Sequence, residues 1–381
     1  MHRSPYLTEE HELLRDQICR FVAEKVAPNG ESWESEGAVP HEILQEMGGL
    51  GLLGIRYPEK YGGSAMDTLA TVVLAEELGK STFGGFAVTV LVHTDMASPH
   101  LINAGNQSQI AKYLPDIIKG NLITAIAVTE SSAGSDVANI KTRATKEGDH
   151  WVINGSKMFI TNGVNSGLYF VAARTDPDTE GSKGITMFIV EKNTPGFSVG
   201  SVLHKMGWHS SDTAELVFEN CRIPQENVLG DINQGFYSIM QNFQNERIVI
   251  GAQAIGEATK AIELTVSYVK ERKAFSQTLW EKQGIRQRLA KRLAQIEAGR
   301  QLVYYTAWLD AQGTECVKEV SMVKAYCGEL VNAVMYDCQQ FHGGYGYMKG
   351  TVIERMFRDA RILSVGGGAT EVMLEEVAKR I

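Results

Sequence analysis

The chain has 381 residues, of which 44% are hydrophobic and 22% are charged, and its formal net charge at pH 7 is −8. This length allows two or three domains and excludes a peptide or a disulfide-stapled miniprotein. No apolar run approaches the ~20 residues of a membrane-spanning helix, and the acidic balance argues against nucleic acid as the main partner.

The N-terminus gives no sign of export. Residues 1–7 lead directly into an acidic helix start at residues 8–12, without the apolar core of a signal peptide. The five cysteines are odd in number and none forms a CxxC pair, so neither a disulfide framework nor a zinc site is indicated. His204 and His209 are five residues apart, outside any metal-binding motif, so we expect no metal and a cytoplasmic location.

The first third of the chain, residues 1–121, is predicted to be an α-helical domain. Apolar residues such as Leu14, Ile18 and Phe21 recur at three- and four-residue steps, and residues 72–78 carry a second apolar stripe. Glycines between positions 48 and 63 mark turns between the helices.

Residues 122–230 are predicted to form a small β domain. The hydrophobic period changes to two in short β-rich runs at 122–128, 151–160, 168–173, 184–190 and 215–218. Asn154-Gly155 stands between two apolar segments and predicts a hairpin turn.

Residues 231–381 return to the helical period, through 248–269, 286–309 and 321–340. In the last of these runs Val323, Leu330 and Val334 mark one buried face. A four-helix bundle is the predicted packing, which makes the whole chain an α+β protein.

Two polar motifs follow β-rich runs in the middle domain. Residues 128–136 read Val-Thr-Glu-Ser-Ser-Ala-Gly-Ser-Asp, and residues 157–163 read Lys-Met-Phe-Ile-Thr-Asn-Gly. Taken alone, the first is typical of a strand-to-turn connection and the second of a core Phe followed by a turn. Phe159 and Thr161, two positions apart, are expected on the same side of a strand.

At this spacing the two motifs resemble those of the acyl-CoA dehydrogenase family. Three more segments stand in the order that the family requires: Arg-Lys-Ala-Phe at 272–275, Gln-Phe-His-Gly-Gly-Tyr-Gly at 340–346, and Arg-Asp-Ala-Arg-Ile at 358–362. The resemblance covers essentially the whole chain. It implies a helical N-terminal domain, a small middle β-barrel domain and a C-terminal four-helix bundle.

The resemblance also implies a shared FAD site. The cofactor would lie between the middle domain and the C-terminal helices, against Val128, Thr129, Ser135, Phe159, Thr161, Ala369 and Glu371. The neighbouring subunit would complete the site with Arg272, Phe275, Gln283, Gln340 and Gly344. The guanidinium of Arg272 suits pyrophosphate oxygens. A homo-oligomer is therefore expected, and the family arrangement is a tetramer built as a dimer of dimers.

The catalytic base departs from the common family pattern. Most relatives carry Tyr-Glu-Gly-Thr where this chain reads Gly-Gly-Gly-Ala at 366–369, so Gly367 replaces the glutamate. Either dehydrogenation is lost or the carboxylate comes from elsewhere. Long-chain and isovaleryl-type relatives carry it on the first C-terminal helix before an arginine, and this chain has Glu246-Arg247 there. An isolated Glu-Arg pair on a helix is usually solvated surface, but in this register Glu246 is predicted to be the base.

The same resemblance assigns the rest of the chemistry. Arg247 would position Glu246, while a flavin ribityl hydroxyl and the backbone N–H of Gly367 would bind the thioester carbonyl. Ser135, Gln244, Arg247, Gly366 and Gly367 are the predicted substrate-binding residues. Gly366 replaces a bulky residue of linear-chain relatives, which favours a branched or bulky acyl group, with a long linear chain as the alternative.

The predicted reaction is α,β-dehydrogenation of an acyl-CoA to a trans-2-enoyl-CoA. Electron-transferring flavoprotein is the acceptor that the family implies. Two alternatives stay open on the same fold: an oxidase or monooxygenase that uses O₂, and a non-catalytic binding protein.

Overall fold

In the described residues, seven α-helices form the N-terminal part of the protein. The computed structural model describes residues 4–179 and 181–381. The helices are α1 (Glu9–Phe21), α2 (Gly30–Glu36), α3 (His41–Gly49), α4 (Thr68–Gly79), α5 (Gly84–Leu91), α6 (Pro99–Ala104) and α7 (Gln107–Ile118). Every residue of α4 is buried, so this helix is surrounded by protein on all sides. A π-helical turn, Val92–Ala97, connects α5 to α6.

A mixed sheet follows. Its strands are β1 (Thr124–Ala127), β2 (Arg143–Glu147), β3 (His150–Thr161), β4 (Leu168–Arg174), β5 (Ile185–Glu191), β6 (Phe197–Val202), β7 (Thr213–Pro224) and β8 (Val228–Leu229). The strand order is β6-β7-β3-β2-β4-β5-β8, with β1 parallel to β4. One face of the sheet has its own apolar core, which includes Trp151, Tyr169, Phe188 and Phe218.

The hairpin predicted at Asn154-Gly155 is wrong, because β3 continues straight through these residues. Both flanks pair with β7, and the register shifts between Ile153 and Gly155, which is a β-bulge. Gly155 has φ +144°, and a Cβ there would come within 3 Å of Thr142. The glycine therefore allows close approach of a neighbouring segment, and the turn into β3 lies instead at Gly148-Asp149.

The C-terminal part contains three long helices and several short ones. The helices are α8 (Gly235–Glu271), α9 (Gln283–Ala311), α10 (Val317–His342), α11 (Gly344–Tyr347), α12 (Val352–Ala360) and α13 (Thr370–Ala378), and a small hairpin, β9 (Lys273–Ala274) and β10 (Gln277–Thr278), joins α8 to α9. The helix α10 packs against α8 and α9, and α12 and α13 cover its remaining side. Since α4 also packs on α8 and α9, both helical parts share one core.

The helix–sheet–helix order confirms the predicted α+β fold. The predicted boundaries at 121/122 and 230/231 lie between α7 and β1 and between β8 and α8. Among the described residues, no helix has an apolar stretch long enough to cross a bilayer. That part of the chain also has no cluster of three or more metal-ligating side chains, and all five cysteines are free thiols.

Candidate functional site

Glu246 lies on the face of α8 that packs against α10. Its side chain is buried, and no hydrogen bond reaches its carboxylate from the part of the chain that the structure describes. Burial raises the pKa of Glu246 to about 7, because loss of water destabilises the charged form, while the positive charges of Arg247 and Lys324 oppose the shift. A carboxyl group with this pKa can accept a proton near neutral pH.

The loop between α12 and α13 brings Gly367 next to this carboxylate. Gly367 has φ +65°, and a Cβ placed there would lie 3.1 Å from Glu246 Oε1. The Glu246 carboxyl group therefore occupies the space beside residue 367. In the same loop the N–H of Gly366 donates to Ile362 O at 2.8 Å, whereas the N–H of Gly367 has no acceptor among the described residues. The free N–H of Gly367 can thus donate to an incoming carbonyl oxygen.

Gly366 borders open space. A Cβ at this position would meet only Ile362, and no closer than 3.6 Å. A side chain would therefore fit here, and its absence leaves a gap beside Gly367.

Arg247 is mostly buried but has few partners. Its guanidinium carbon lies 5.4 Å from the ring centroid of Phe243, and its Nε is buried without a hydrogen-bond partner. Burial lowers the pKa of Arg247, while the carboxylates of Glu246 and Glu376 oppose that shift. No hydrogen bond joins Arg247 to Glu246 in the described residues, so their relation is electrostatic. Gln244, two residues before Glu246, is half-buried.

Two asparagines hold α8 against the N-terminal helices just before Glu246. Asn242 Nδ2 donates to Met96 O at 2.9 Å, and Asn245 Nδ2 donates to Asp95 O at 2.9 Å. Both acceptors lie in the π-helical turn, where the backbone leaves the regular helix pattern. These bonds fix the rotation of α8 about its axis, and hence the direction in which Glu246 points.

Lys324 on α10 is a site residue that the sequence reasoning missed. It is fully buried, and its Nζ donates to Leu363 O and Gly368 O, both at 2.8 Å. Burial lowers the pKa of Lys324 to about 8, while the Glu246 carboxylate opposes that shift. A signal was present, because Lys324 falls one residue after Val323 and three before Cys327 on the buried face of α10. A charged residue on such a face needs a partner.

The cofactor-binding residues predicted in the middle domain lie on two adjacent segments, the one that follows β1 and strand β3. Met158 N donates to Thr129 O at 2.8 Å, which joins the segment after β1 to β3. Phe159 is 64% exposed, while Ile160 beside it is buried and Thr161 is half-buried. Phe159 has φ +62°, at a second irregularity in the β3–β7 register.

A buried ion pair supports this segment from below. Lys157 Nζ donates to Glu130 Oε1 at 2.8 Å and to Val128 O at 2.9 Å. The Glu130 carboxylate also accepts the backbone N–H groups of Lys141 and Thr142. Val128 is buried and Ser135 is exposed in the turn that follows. Neither ionic partner was assigned a role from the sequence, although both stand within the motifs.

The remaining cofactor residues predicted from the motifs lie at two other places. Ala369 precedes the first residue of α13 and Glu371 is exposed in its first turn. The residues Arg272, Phe275, Gln283, Gln340 and Gly344 are all exposed around the far ends of α8 and α10. Stacking of Tyr268 on His342, with ring centroids 4.2 Å apart, holds those two ends together.

The predicted cofactor residues at the start of α13 and those at the far ends of α8 and α10 do not meet within one chain. Arg272 follows Glu246 by 26 positions along α8, which at 1.5 Å per residue is about 39 Å. Phe275 lies in the tight β9–β10 turn, where it and Ser276 both have positive φ, and its ring is 91% exposed.

These features fit a flat cofactor that carries phosphate groups. The exposed ring of Phe159 offers a stacking surface, and a Cβ at Gly134, Gly343 or Gly344 would meet nothing within 4 Å. Open glycine backbone and an exposed arginine are typical of sites that receive phosphate oxygens. The residues present therefore fit FAD.

Three family models match consecutive parts of the chain. They are described as the acyl-CoA dehydrogenase N-terminal domain, matched at residues 8–121, the middle domain at 125–221, and the C-terminal domain at 233–381.

Individual proteins match over nearly the full length. An acyl-CoA dehydrogenase of Bacillus subtilis (strain 168) is 37% identical over 98% of both chains. The mitochondrial long-chain specific acyl-CoA dehydrogenase of Mus musculus is 39% identical over 98% of this chain and 87% of its own. A crystal structure of an acyl-CoA dehydrogenase from Geobacillus kaustophilus superposes with a TM-score of 0.96, at 38% identity over 99% of both chains.

Proposed function

The chain belongs to the acyl-CoA dehydrogenase family of FAD-dependent oxidoreductases, and we propose that Glu246 is the base that removes the α-proton of its acyl-CoA substrate. The observation that carries this assignment is the position of Glu246 Oε1, 3.1 Å from where a Gly367 side chain would begin. A carboxylate on α8 thus reaches the place from which a glutamate at residue 367 would act. Burial adds the pKa of about 7 that a base needs.

The backbone of the 365–369 loop complements this base. The free N–H of Gly367 donates to the thioester carbonyl oxygen and stabilises the negative charge that develops there as Glu246 takes the proton. Oxyanion donors of this kind are typically worth about 3 kcal/mol each. Bound FAD would supply the hydride acceptor for the β-hydrogen, which would make the product a trans-2-enoyl-CoA. The role of Arg247 is to keep a positive charge near the Glu246 carboxylate.

Two sets of residues hold FAD in this proposal. Within one chain, the ring of Phe159, the Thr161 side chain and the Thr129 backbone would hold the ring system. Ala369 and Glu371 approach from the start of α13. Arg272 lies about 39 Å along α8 from Glu246, so it is proposed to serve the partner's cofactor. The same role is proposed for Phe275, Gln283, Gln340 and Gly344. This arrangement requires a homodimer, and we propose a tetramer made of two such dimers.

The proposed substrate class is a branched or otherwise bulky acyl-CoA. The gap beside Gly366, whose Cβ would have no neighbour within 3.6 Å, lies next to the residue that binds the thioester. Ser135, Gln244 and Gly366 would line the path of the substrate. Electron-transferring flavoprotein as acceptor and a cytoplasmic location belong to the same proposal.

The base is tested by anaerobic titration of the yellow protein with linear and branched acyl-CoAs, followed by flavin bleaching near 450 nm. The Glu246→Gln variant is expected to bind FAD and to lose bleaching. Glu257→Gln is the matched control, because Glu257 is a buried glutamate of the same helix whose burial raises its pKa to about 8. Glu257→Gln is expected to bleach normally. Normal bleaching by Glu246→Gln would refute the assignment of the base.

The substrate class is tested with Gly366→Tyr in the same assay. Filling the gap is expected to weaken bleaching by branched acyl-CoAs at least tenfold relative to linear ones. An unchanged ratio would contradict the role of Gly366. Rapid reoxidation of the reduced protein by air would favour the oxidase alternative, and no bleaching by any acyl-CoA would favour a binding protein.

A further inference from the structure

Lys324 joins both ends of the loop that carries Gly366 and Gly367. Its Nζ donates to Leu363 O before the loop and to Gly368 O after it, both at 2.8 Å. Because the side chain is fully buried, water does not compete for these two hydrogen bonds. The ammonium group therefore ties the two ends together, alongside a longer hydrogen bond from Thr370 Oγ1 to Ser364 O at 3.4 Å.

The loop needs such a support. Val365 N and Gly366 N donate to Ile362 O, both at 2.8 Å, but residues 367–369 donate no backbone hydrogen bond within the described structure. Gly367 and Gly368 have positive φ, and glycines lose the most backbone freedom on folding. In this half of the loop Ala369 O accepts from Met373 N at 3.0 Å and Gly368 O accepts from Lys324, so the bond from Lys324 is the one that anchors the two glycines.

Lys324 also borders the Glu246 carboxylate. A Cβ at Gly367 would lie 3.1 Å from Glu246 Oε1 and 3.7 Å from Lys324 Cε, so both side chains approach the loop at Gly367. The ionisable groups around the pair are Arg247 on α8, Cys327 on α10 and Glu376 on α13, which acts through Arg247. The positive charge of Lys324 lowers the pKa of Glu246 against the effect of burial.

We propose that Lys324 is a positioning residue for the dehydrogenation. It holds the Gly366–Gly368 backbone so that the Gly367 N–H points at the thioester oxygen, and its charge keeps the neighbouring Glu246 carboxylate ionised. The proposal rests on the proposed role of Glu246. A purely structural lysine would stabilise the loop without changing the protonation of Glu246.

Two variants separate these roles. Lys324→Met removes the charge and both hydrogen bonds, and Lys324→Arg keeps the charge and the donors. Lys205→Met is the matched control, because Lys205 Nζ likewise donates to a backbone carbonyl, that of Ser211, and also to Thr213 Oγ1, but at the start of β7.

The first readout is the pH dependence of the anaerobic flavin reduction rate. In Lys324→Met the acid limb is expected to move to higher pH by one unit or more, because the pKa of Glu246 loses a neighbouring positive charge. Lys324→Arg and Lys205→Met are expected to keep the wild-type limb. A wild-type limb in Lys324→Met, or a limb shifted equally in Lys205→Met, would overturn the proposal.

The second readout needs no turnover. Amide hydrogen exchange at residues 364–369 is expected to be at least tenfold faster in Lys324→Met and near wild type in Lys324→Arg. Unchanged exchange in a folded Lys324→Met would overturn the tethering role. If Lys324→Met does not fold, Lys324→Arg alone tests the proposal. Faster amide exchange at residues 364–369 together with a shifted acid limb of the reduction rate in Lys324→Arg would contradict it. Bleaching by Glu246→Gln would refute the proposed base, independently of any result at Lys324.

Discussion

At the level of single residues, a raised carboxyl pKa does not by itself identify the catalytic base. Burial raises the pKa of Glu246 and of Asp359 to about 7, and that of Glu257 to about 8. Asp359 accepts the backbone N–H groups of Gly84 and Trp208, and Glu257 accepts a hydrogen bond from Gln253. Among these three, Glu246 alone accepts no hydrogen bond from the described residues, and its carboxylate lies beside Gly367, whose N–H also has no acceptor there. Geometry, with pKa as support, therefore selects it.

The pH dependence of the chemical step follows from this burial. Glu246 must be ionised to accept a proton, and its pKa is raised to about 7, so the reduction rate is expected to fall as pH drops below 7. Below about pH 6 the fall should approach tenfold per pH unit. Stopped-flow reduction at saturating acyl-CoA measures this limb. The Glu257→Gln variant should keep it, and a rate that stays constant down to pH 5 would contradict it.

Gly367 and Gly366 are expected to respond oppositely to one added methyl group. In Gly367→Ala the Cβ would overlap Ile250 Cδ1 and crowd Glu246, at φ +65°. This variant is expected to lose about 1–3 kcal/mol of unfolding free energy and about 100-fold in reduction rate. Gly366→Ala, with ordinary contacts only, should stay within about 0.5 kcal/mol of wild type. Urea unfolding and stopped-flow reduction measure both, and equal effects at the two positions would be inconsistent with this loop geometry.

Among the elements, β3 combines two functions that the simple strand pattern does not describe. Its two register irregularities, near Gly155 and near Phe159, change which side chains face the sheet core. Lys157 points inward and ties β3 to the Val128–Glu130 segment, while Phe159 is left exposed. The strand thus holds the Val128–Glu130 segment through the buried Lys157 and presents the Phe159 ring, which is proposed to contact FAD, on its exposed side.

Removal of the Lys157 side chain should therefore disturb both β3 and the Val128–Glu130 segment, which carry proposed FAD-binding residues. Lys157→Met leaves Glu130 as a buried carboxylate without its cation, which is expected to cost about 3–5 kcal/mol of unfolding free energy. FAD affinity should fall at the same time. Lys112→Met is the control, because the exposed Lys112–Glu191 pair should contribute less than about 1 kcal/mol. Urea unfolding and fluorimetric FAD titration measure the two effects, and a similar loss in both variants would argue against a supporting role for the buried pair.

At the scale of the whole molecule, a single chain leaves several aromatic side chains exposed. The exposed side chains around the ends of α8, α10 and α11 include Phe275, Tyr336, Tyr345, Tyr347 and Met348, and Tyr347 is 83% exposed. Clustered exposed aromatic residues are typical of protein interfaces. They surround the residues that are proposed to serve the partner's FAD, so assembly and cofactor binding should be coupled.

This coupling predicts the behaviour of an interface variant. Tyr345→Glu combined with Tyr347→Glu is expected to reduce the oligomer to a smaller species and to release FAD. Leu13→Glu, at an exposed position on α1, should change neither. Light scattering during size-exclusion chromatography, with the 450 to 280 nm absorbance ratio, measures both properties. Full FAD occupancy in a monomeric variant would refute the shared site.

The sequence determined the order of helical, sheet and helical parts, because hydrophobic period depends on local geometry alone. It also pointed to Glu246 through its register and the glycine at 367. It missed β2 and β6, whose residues are mostly exposed and carry little apolar alternation, so that only pairing with neighbouring strands makes them strands.

Only the tertiary structure decided which distant residues meet. Three contacts join segments that are 27 or more positions apart in the chain. They are the approach of Glu246 to the 365–369 loop, the hydrogen bonds of Lys324 to both ends of that loop, and the bonds of Lys157 to the Val128–Glu130 segment. The Asn154-Gly155 pair illustrates the same limit, because a local turn signal became a bulge once both flanks paired with β7. Local preferences are worth about 1 kcal/mol per residue, and burial and pairing outweigh them.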